Sequence, residues 1–362
     1  MIIIDSILHF IIDGICAYSM FGTYGAKGTE TYLFYNLCAF ALQMPFGALA
    51  DLVLFKLGRS NGIAIKRFYF SVTFLGVIFT IVGMFAGPLP LGVGNALFHV
   101  GAGMSTIKED RDRNFFGRGL GVFVAPGALG LFVGKSLADF GFPKLYVRNC
   151  WIGIAALMVL IGFLRLYYEE RKFVFVEAEP VGTVNRVREG IADLITSLIV
   201  CFAAVIIRSF MGLTGSFEWK KGFTLAFLAT LAVVLGKAAG GFLSHALGEL
   251  KAVCISMLLS AVCFAFSTKA VFGIFALFFF NMTMPITLYI LVRKMPSFPG
   301  FAFGLLTFGM FLGFLPEYLD FDLGLSTGVL GLICSLVTMV LLAVILVPEE
   351  IRKRRLKRQT EG

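Results

Sequence analysis

The chain has 362 residues, 58% of them hydrophobic and 15% charged, with a mean hydropathy of +0.90. Soluble domains carry about 25% charged residues, so this chain cannot cover itself for water, and a polytopic membrane protein is expected. The formal net charge of +9 would point to nucleic acid in a soluble protein; here the excess belongs to one membrane face, which sets nucleic acid aside.

A spanning helix needs about 20 apolar residues, and lipid offers no partner to a backbone N–H or C=O outside a helix. The sequence predicts twelve helices, at about 2–23, 31–55, 65–86, 89–107, 118–140, 149–168, 190–213, 222–245, 250–268, 271–293, 298–318 and 324–347. The N-terminus enters apolar residues without a basic leader, so the first helix is expected to stay in the protein. Short loops leave no room for a soluble catalytic domain. The seven cysteines show no CxxC or Cys/His spacing, so neither a disulfide framework nor a metal site is expected, and no motif calls for a cofactor.

The fourth and fifth helices form the centre of the pattern. Gly92 to Ile107 and Gly117 to Phe140 are glycine-studded segments on either side of a short charged loop. Glycines four apart (Gly117 and Gly121; Gly130 and Gly134) strip one helix face of side chains, which lets a neighbouring backbone approach closely.

Basic residues cluster after the second helix (Lys56, Arg59, Lys66, Arg67), after the fourth (Lys108, Arg111, Arg113, Arg118), between the sixth and seventh, and in the tail from Arg352 to Arg358. The alternate loops are poorer in Lys and Arg, and the last of them holds Glu317, Asp320 and Asp322. By the positive-inside rule both termini face the cytoplasm, in a multi-pass cell-membrane protein with an even helix count. The basic tail could also meet anionic membrane lipid.

The polar stretch 169–189 divides the chain into an N-terminal six-helix bundle (1–168) and a C-terminal one (190–348), followed by a basic tail (349–362). The halves echo one another. Gly47-Ala-Leu-Ala-Asp51 ends the second helix and Gly241-Phe-Leu-Ser-His245 ends the eighth, while Gly117, Gly121 and Gly130 match Gly300, Gly304 and Gly313. Internal repeats of this kind are the plan of many secondary transporters.

On these motifs the chain resembles the major facilitator superfamily, which implies an all-α membrane fold of twelve helices in two pseudo-symmetric bundles. Gly47-x-Leu-x-Asp51 is similar to the signature ending that family's second helix, and Gly241 to Gly248 to its counterpart in the second half. Gly58-Arg59 stands several residues further from Asp51 than in the signature, and His245 stands where an aspartate is usual. The resemblance implies that Gly47, Asp51, Gly241 and His245 belong to a cytoplasmic gate. His9-x-x-x-Asp13, Gly94-Asn-Ala-Leu-Phe-His99 and the glycines of the fifth helix (Gly127, Gly130, Gly134) further resemble fosmidomycin-resistance-type drug exporters, with Lys135 in place of the proline that follows the last glycine there.

Several polar residues could carry a mechanism. His9 and Asp13 share one helical face; a carboxylate at membrane depth is costly and faces a bundle interior or water, and beside imidazole it could exchange a proton near neutral pH. The bland reading is a neutral pair stitching helices together. His99, alone on its helix, is either a third member or a packing residue. Lys135 and Arg208 lie near the outer ends of their helices, where they either reach a substrate or snorkel; an inward Arg208 would favour an anionic group. Asn281 and Thr287 flank Pro285 on the tenth helix and are candidate cavity groups, or interhelical hydrogen bonds. Lys237 reads as a snorkelling residue.

Enzyme readings fail. Asp13-Gly-x-x-Ala17 resembles the start of a CDP-alcohol phosphotransferase motif, but Tyr18 stands where arginine is needed; Thr214-Gly-Ser216 lacks a supporting histidine; and no ATP-binding motif occurs. The expected function is secondary transport of a small organic molecule by alternating access, proton-coupled and outward, by a monomer. The alternatives are a uniporter or importer, and a non-transporting sensor or scaffold built on the same fold.

Overall fold

The computed structural model describes residues 1–25, 29–57, 62–173, 190–319, 321 and 323–361. Gly58-Arg59, Asp320, Asp322 and all but the first five residues of the 169–189 segment lie outside them.

Among the described residues, twelve helical segments follow one another. They are α1 (Ile2–Thr23), α2 (Glu30–Leu57), α3 (Gly62–Ala86), α4 (Pro88–Asp112), α5 (Arg118–Asp139), α6 (Lys144–Phe173), α7 (Ile191–Thr214), α8 (Gly222–Leu247), α9 (Glu249–Ala265), α10 (Ala270–Lys294), α11 (Pro299–Tyr318) and α12 (Thr327–Glu361). Ten are long and apolar enough to cross a membrane, where the sequence predicts twelve. The exceptions are α4, diluted by glycines, Asn95, His99 and a charged C-terminal turn, and α9, which has 17 residues. Both pack among the spanning helices, and the chain is a multi-pass membrane protein.

Two boundaries move for local reasons. The fourth helix runs past the predicted 107 to Asp112, carried by i,i+4 ion pairs Lys108–Asp112 (2.7 Å) and Arg113–Glu109 (2.8 Å), which stabilise an exposed helix end. The twelfth continues through the basic tail to Glu361, a run of Arg, Lys and Glu with high helix propensity.

The glycine face of α5 seats against α1: a Cβ on Gly130 would strike the Phe10 carbonyl, and one on Gly134 the Gly14 carbonyl. The halves meet along two seams. At one, α2 touches α11, where a Cβ on Gly47 would strike the Gly300 carbonyl; at the other, α5 touches α8, with Gly241 against the Gly117 carbonyl. The chain termini share one end of the bundle with the α4–α5 and α10–α11 loops: the Met1 amine pairs with Glu109 (2.7 Å), and Arg293 binds Glu249 (2.5 Å) and Glu349 (2.7 Å).

Candidate functional site

Three helix irregularities surround the middle of the bundle. α1 ends in a π-helical turn (Ser19–Thr23) and α2 contains another (Leu37–Ala41), a feature frequent at functional sites. Helix α5 is interrupted at Ala125 ahead of Pro126, whose ring cannot continue the hydrogen-bond ladder. Between them lies a cavity of about 210 Å³, bounded by residues of both halves.

On the N-terminal side the wall is a cluster of His9, Asp13, Asn95 and His99. His9 Nε2 lies 3.2 Å from Asp13 Oδ2 and 2.9 Å from His99 Nε2, and His99 Nε2 lies 3.8 Å from Asp13 Oδ1. Asn95 Nδ2 donates to Asp13 Oδ1 (3.1 Å). The remaining ring nitrogens meet backbone carbonyls: His9 Nδ1 the Phe123 oxygen beside the α5 interruption (2.7 Å), and His99 Nδ1 the Asn95 oxygen (2.8 Å).

A carbonyl oxygen can only accept, so both Nδ1 atoms must be the donors, which fixes both tautomers. In the neutral rings both Nε2 atoms are then bare acceptors, 2.9 Å apart and facing a carboxylate. Such a meeting of acceptors is satisfied by a proton shared among them. The ligand atoms of His9, Asp13 and His99 all lie within 4.8 Å of one another, so the three could also close round a metal ion, which the local spacing of each helix did not suggest. Gly127 leaves the room: a Cβ there would strike His9 Nε2 and Asp13 Oδ2.

On the C-terminal side the wall carries cations. Arg208 on α7 is 8% exposed and lines the cavity, with its Nη1 unpartnered. Lys237 on α8 lines the same cavity. Thr287 also lines it, with its hydroxyl donating to the Thr283 and Met284 carbonyls of its own helix.

The structure thus brings Asp13, His9, His99, Arg208 and Thr287 together and leaves two of the predicted cavity residues elsewhere. Lys135 is exposed, with its Nζ over the Phe21 ring at 5.2 Å, because the glycine face of α5 that packs on α1 turns position 135 outward. Asn281 is not among the lining residues; its amide donates to the Leu277 carbonyl one turn back (2.8 Å). Sequence reasoning missed Lys237, Asn95 and Gln43. Asn95 and His99 are four apart, so their shared face was a usable signal; nothing in an apolar helix showed which way Lys237 points.

At the end of the bundle that holds the termini, Asp51 fastens the first seam. Its Oδ1 accepts from the Gly300 amide (3.0 Å) and its Oδ2 from the Phe301 amide (2.7 Å), a carboxylate held at the N-terminus of α11. At the second seam His245 is exposed and stacks on Phe116 (centroids 5.4 Å apart). The start of α5 is instead held by Asp110 of its own half, which accepts from the amides of Gly117 (2.8 Å) and Gly119 (2.7 Å).

No protein-family model and no curated protein sequence matches the chain. Solved structures do. The human organic anion transporter MFSD10 (TETRAN) aligns with TM-score 0.64 and 14% identity over 94% of this chain and 98% of its own. A bacterial homologue of the iron transporter ferroportin, in an outward-facing state, aligns with TM-score 0.57 and 13% identity over 96% of this chain and 100% of its own. The E. coli fucose:proton symporter FucP aligns with TM-score 0.53 and 12% identity over 95% and 96%. The chain has the major facilitator fold. At these identities the likeness establishes architecture, two six-helix bundles around a central cavity, and leaves chemistry to the residues within it.

Proposed function

We propose that the chain is a secondary active transporter that moves a small organic molecule across the membrane by alternating access, coupled to protons and directed outward. The observation that carries it is the meeting of acceptors at His9, Asp13 and His99 on the wall of a cavity between the two halves. A carboxylate and two imidazoles at membrane depth are costly unless water reaches them. Here they form a site for one proton, placed where a substrate entering the cavity meets it.

The structural neighbours named above are transporters, one of them a proton symporter, which supports the reading. Outward direction draws on the exporter-like motifs in α1, α4 and α5. The basic residues gathered at their end of the bundle support a cytoplasmic position for both termini, with Gly47, Asp51, Gly241 and His245 as the cytoplasmic gate.

The test is reconstitution into liposomes holding a pH-sensitive dye, with metabolite and drug panels added outside. The wild-type protein is expected to move protons in response to at least one compound. Asp13→Asn, which keeps the shape and removes the charge, is expected to slow that flux at least ~100-fold. Proton movement that is unchanged in Asp13→Asn, or absent for every compound, would refute the coupling.

A further inference from the structure

Buried charges in proteins are normally paired, and on one wall of the cavity the buried Arg208 and the half-buried Lys237 break that rule. Neither Arg208 nor Lys237 has a carboxylate within ion-pair distance among the described residues. Arginine cannot shed its proton, so its burial beside a second cation is a standing cost. The carboxylate that faces them, Asp13, is already engaged by His9, His99 and Asn95. Among the described residues the cavity therefore holds two cations that no carboxylate pairs with.

The same cavity also carries the opposite deficit. Gln43, fully buried in α2, donates its amide to the Ala39 carbonyl (2.7 Å) and leaves its Oε1 without a donor. Asn95 likewise has Nδ2 on Asp13 and Oδ1 unanswered. Both residues line the cavity. Much of the remaining lining is apolar and aromatic, including Phe40, Met284, Phe303 and Phe314.

We propose that the substrate is an organic anion with a hydroxyl or amino donor at a distance from its charge. Its acidic group binds Arg208 and Lys237, its donor binds Gln43 Oε1, and its apolar body fills the space between. This rests on the transporter reading and assigns that site its substrate class. Arg208 supplies a planar fork for a carboxylate, sulfonate or phosphonate, and Lys237 a second cation on the same cavity.

The experiment uses the purified full-length protein in nanodiscs and three matched probes. They are 4-hydroxybenzoate, 4-hydroxybenzamide without the charge, and 4-methoxybenzoate without the donor. Binding to wild type is expected to be at least ~10-fold tighter for the hydroxy acid than for either relative, the scale of one charge-assisted or orphan-satisfying hydrogen bond. Arg208→Gln should erase the preference for acid over amide, Arg208→Lys should restore part of it, and Gln43→Met should erase only the preference for hydroxy over methoxy.

A second readout needs no probe. Arg208→Met removes an unpaired buried cation, so the melting temperature of the ligand-free protein should rise, whereas loss of a structural arginine would lower it. Equal binding of acid and amide by wild type, an acid preference that survives in a folded Arg208→Gln, or a fall in melting temperature for Arg208→Met overturns the assignment. Anion binding without proton flux in liposomes would leave this site standing and sink the proton-coupled reading; proton flux driven by a neutral compound without anion preference would do the reverse.

Discussion

On the wall built from α1 and α4, the polar groups face one another: His9, Asp13, Asn95 and His99 exchange contacts of 2.9–3.2 Å, and each imidazole is anchored to a backbone carbonyl. On the opposite wall, from α7 and α8, Arg208 and Lys237 face the same space and find no carboxylate within ion-pair distance among the described residues. A cluster whose members answer one another around one shared proton, with only Asn95 Oδ1 left over, suits an ion taken up and released within its own half. Charges left open in the other half suit a ligand that comes and goes. The two halves share an architecture and divide the chemistry between them.

That contrast predicts opposite signs of stability. His99→Leu strips a partner from His9 and from Asp13 and should destabilise the protein by about 2 kcal/mol, the cost of leaving buried polar groups unanswered. Lys237→Met removes a cation from beside another and should stabilise the ligand-free protein by about 1 kcal/mol. Thermal melting in detergent reads both, and two changes of the same sign would break the comparison.

A smaller contrast lies at the seams. Asp51 holds two amides of α11, whereas His245 contributes a stacked, exposed ring. Asp51→Ala should cost about 1.5 kcal/mol, in the range of a lost helix cap, and His245→Ala no more than about 0.5 kcal/mol. Comparable losses in melting temperature would mean that the second seam is latched as firmly as the first.

Much of this was legible in the sequence because it is local. Helix positions follow from runs of apolar residues, a close-packing face on α5 from glycines at four-residue spacing, and the His9–Asp13 pair from one helical turn; that α1 is the helix seated on that face does not. Long-range meetings were not legible. His99 comes within 2.9 Å of His9 across ninety positions of chain, and a sequence lists it as a lone histidine. Orientation was the other gap. Helices apolar on all sides carry no stripe to show which face is inward, so Lys237 was read as snorkelling and Lys135 as a cavity group, and the structure exchanges the two. Asn281 was misplaced because its own helix offers a carbonyl one turn back, an alternative that short polar side chains readily take.

The central claim is that a proton at His9, Asp13 and His99 decides which end of the cavity is open. It is tested most directly by distance distributions between spin labels in nanodiscs across a pH series, with one pair at Glu30 and Glu317 and another at Leu57 and Phe298, at opposite ends of the α2–α11 seam. The account predicts that lowering pH shifts the two distributions in opposite directions in the wild type, and that Asp13→Asn shows one pH-independent distribution at each end. Distributions that ignore pH in the wild type, or that shift equally in Asp13→Asn, would contradict it.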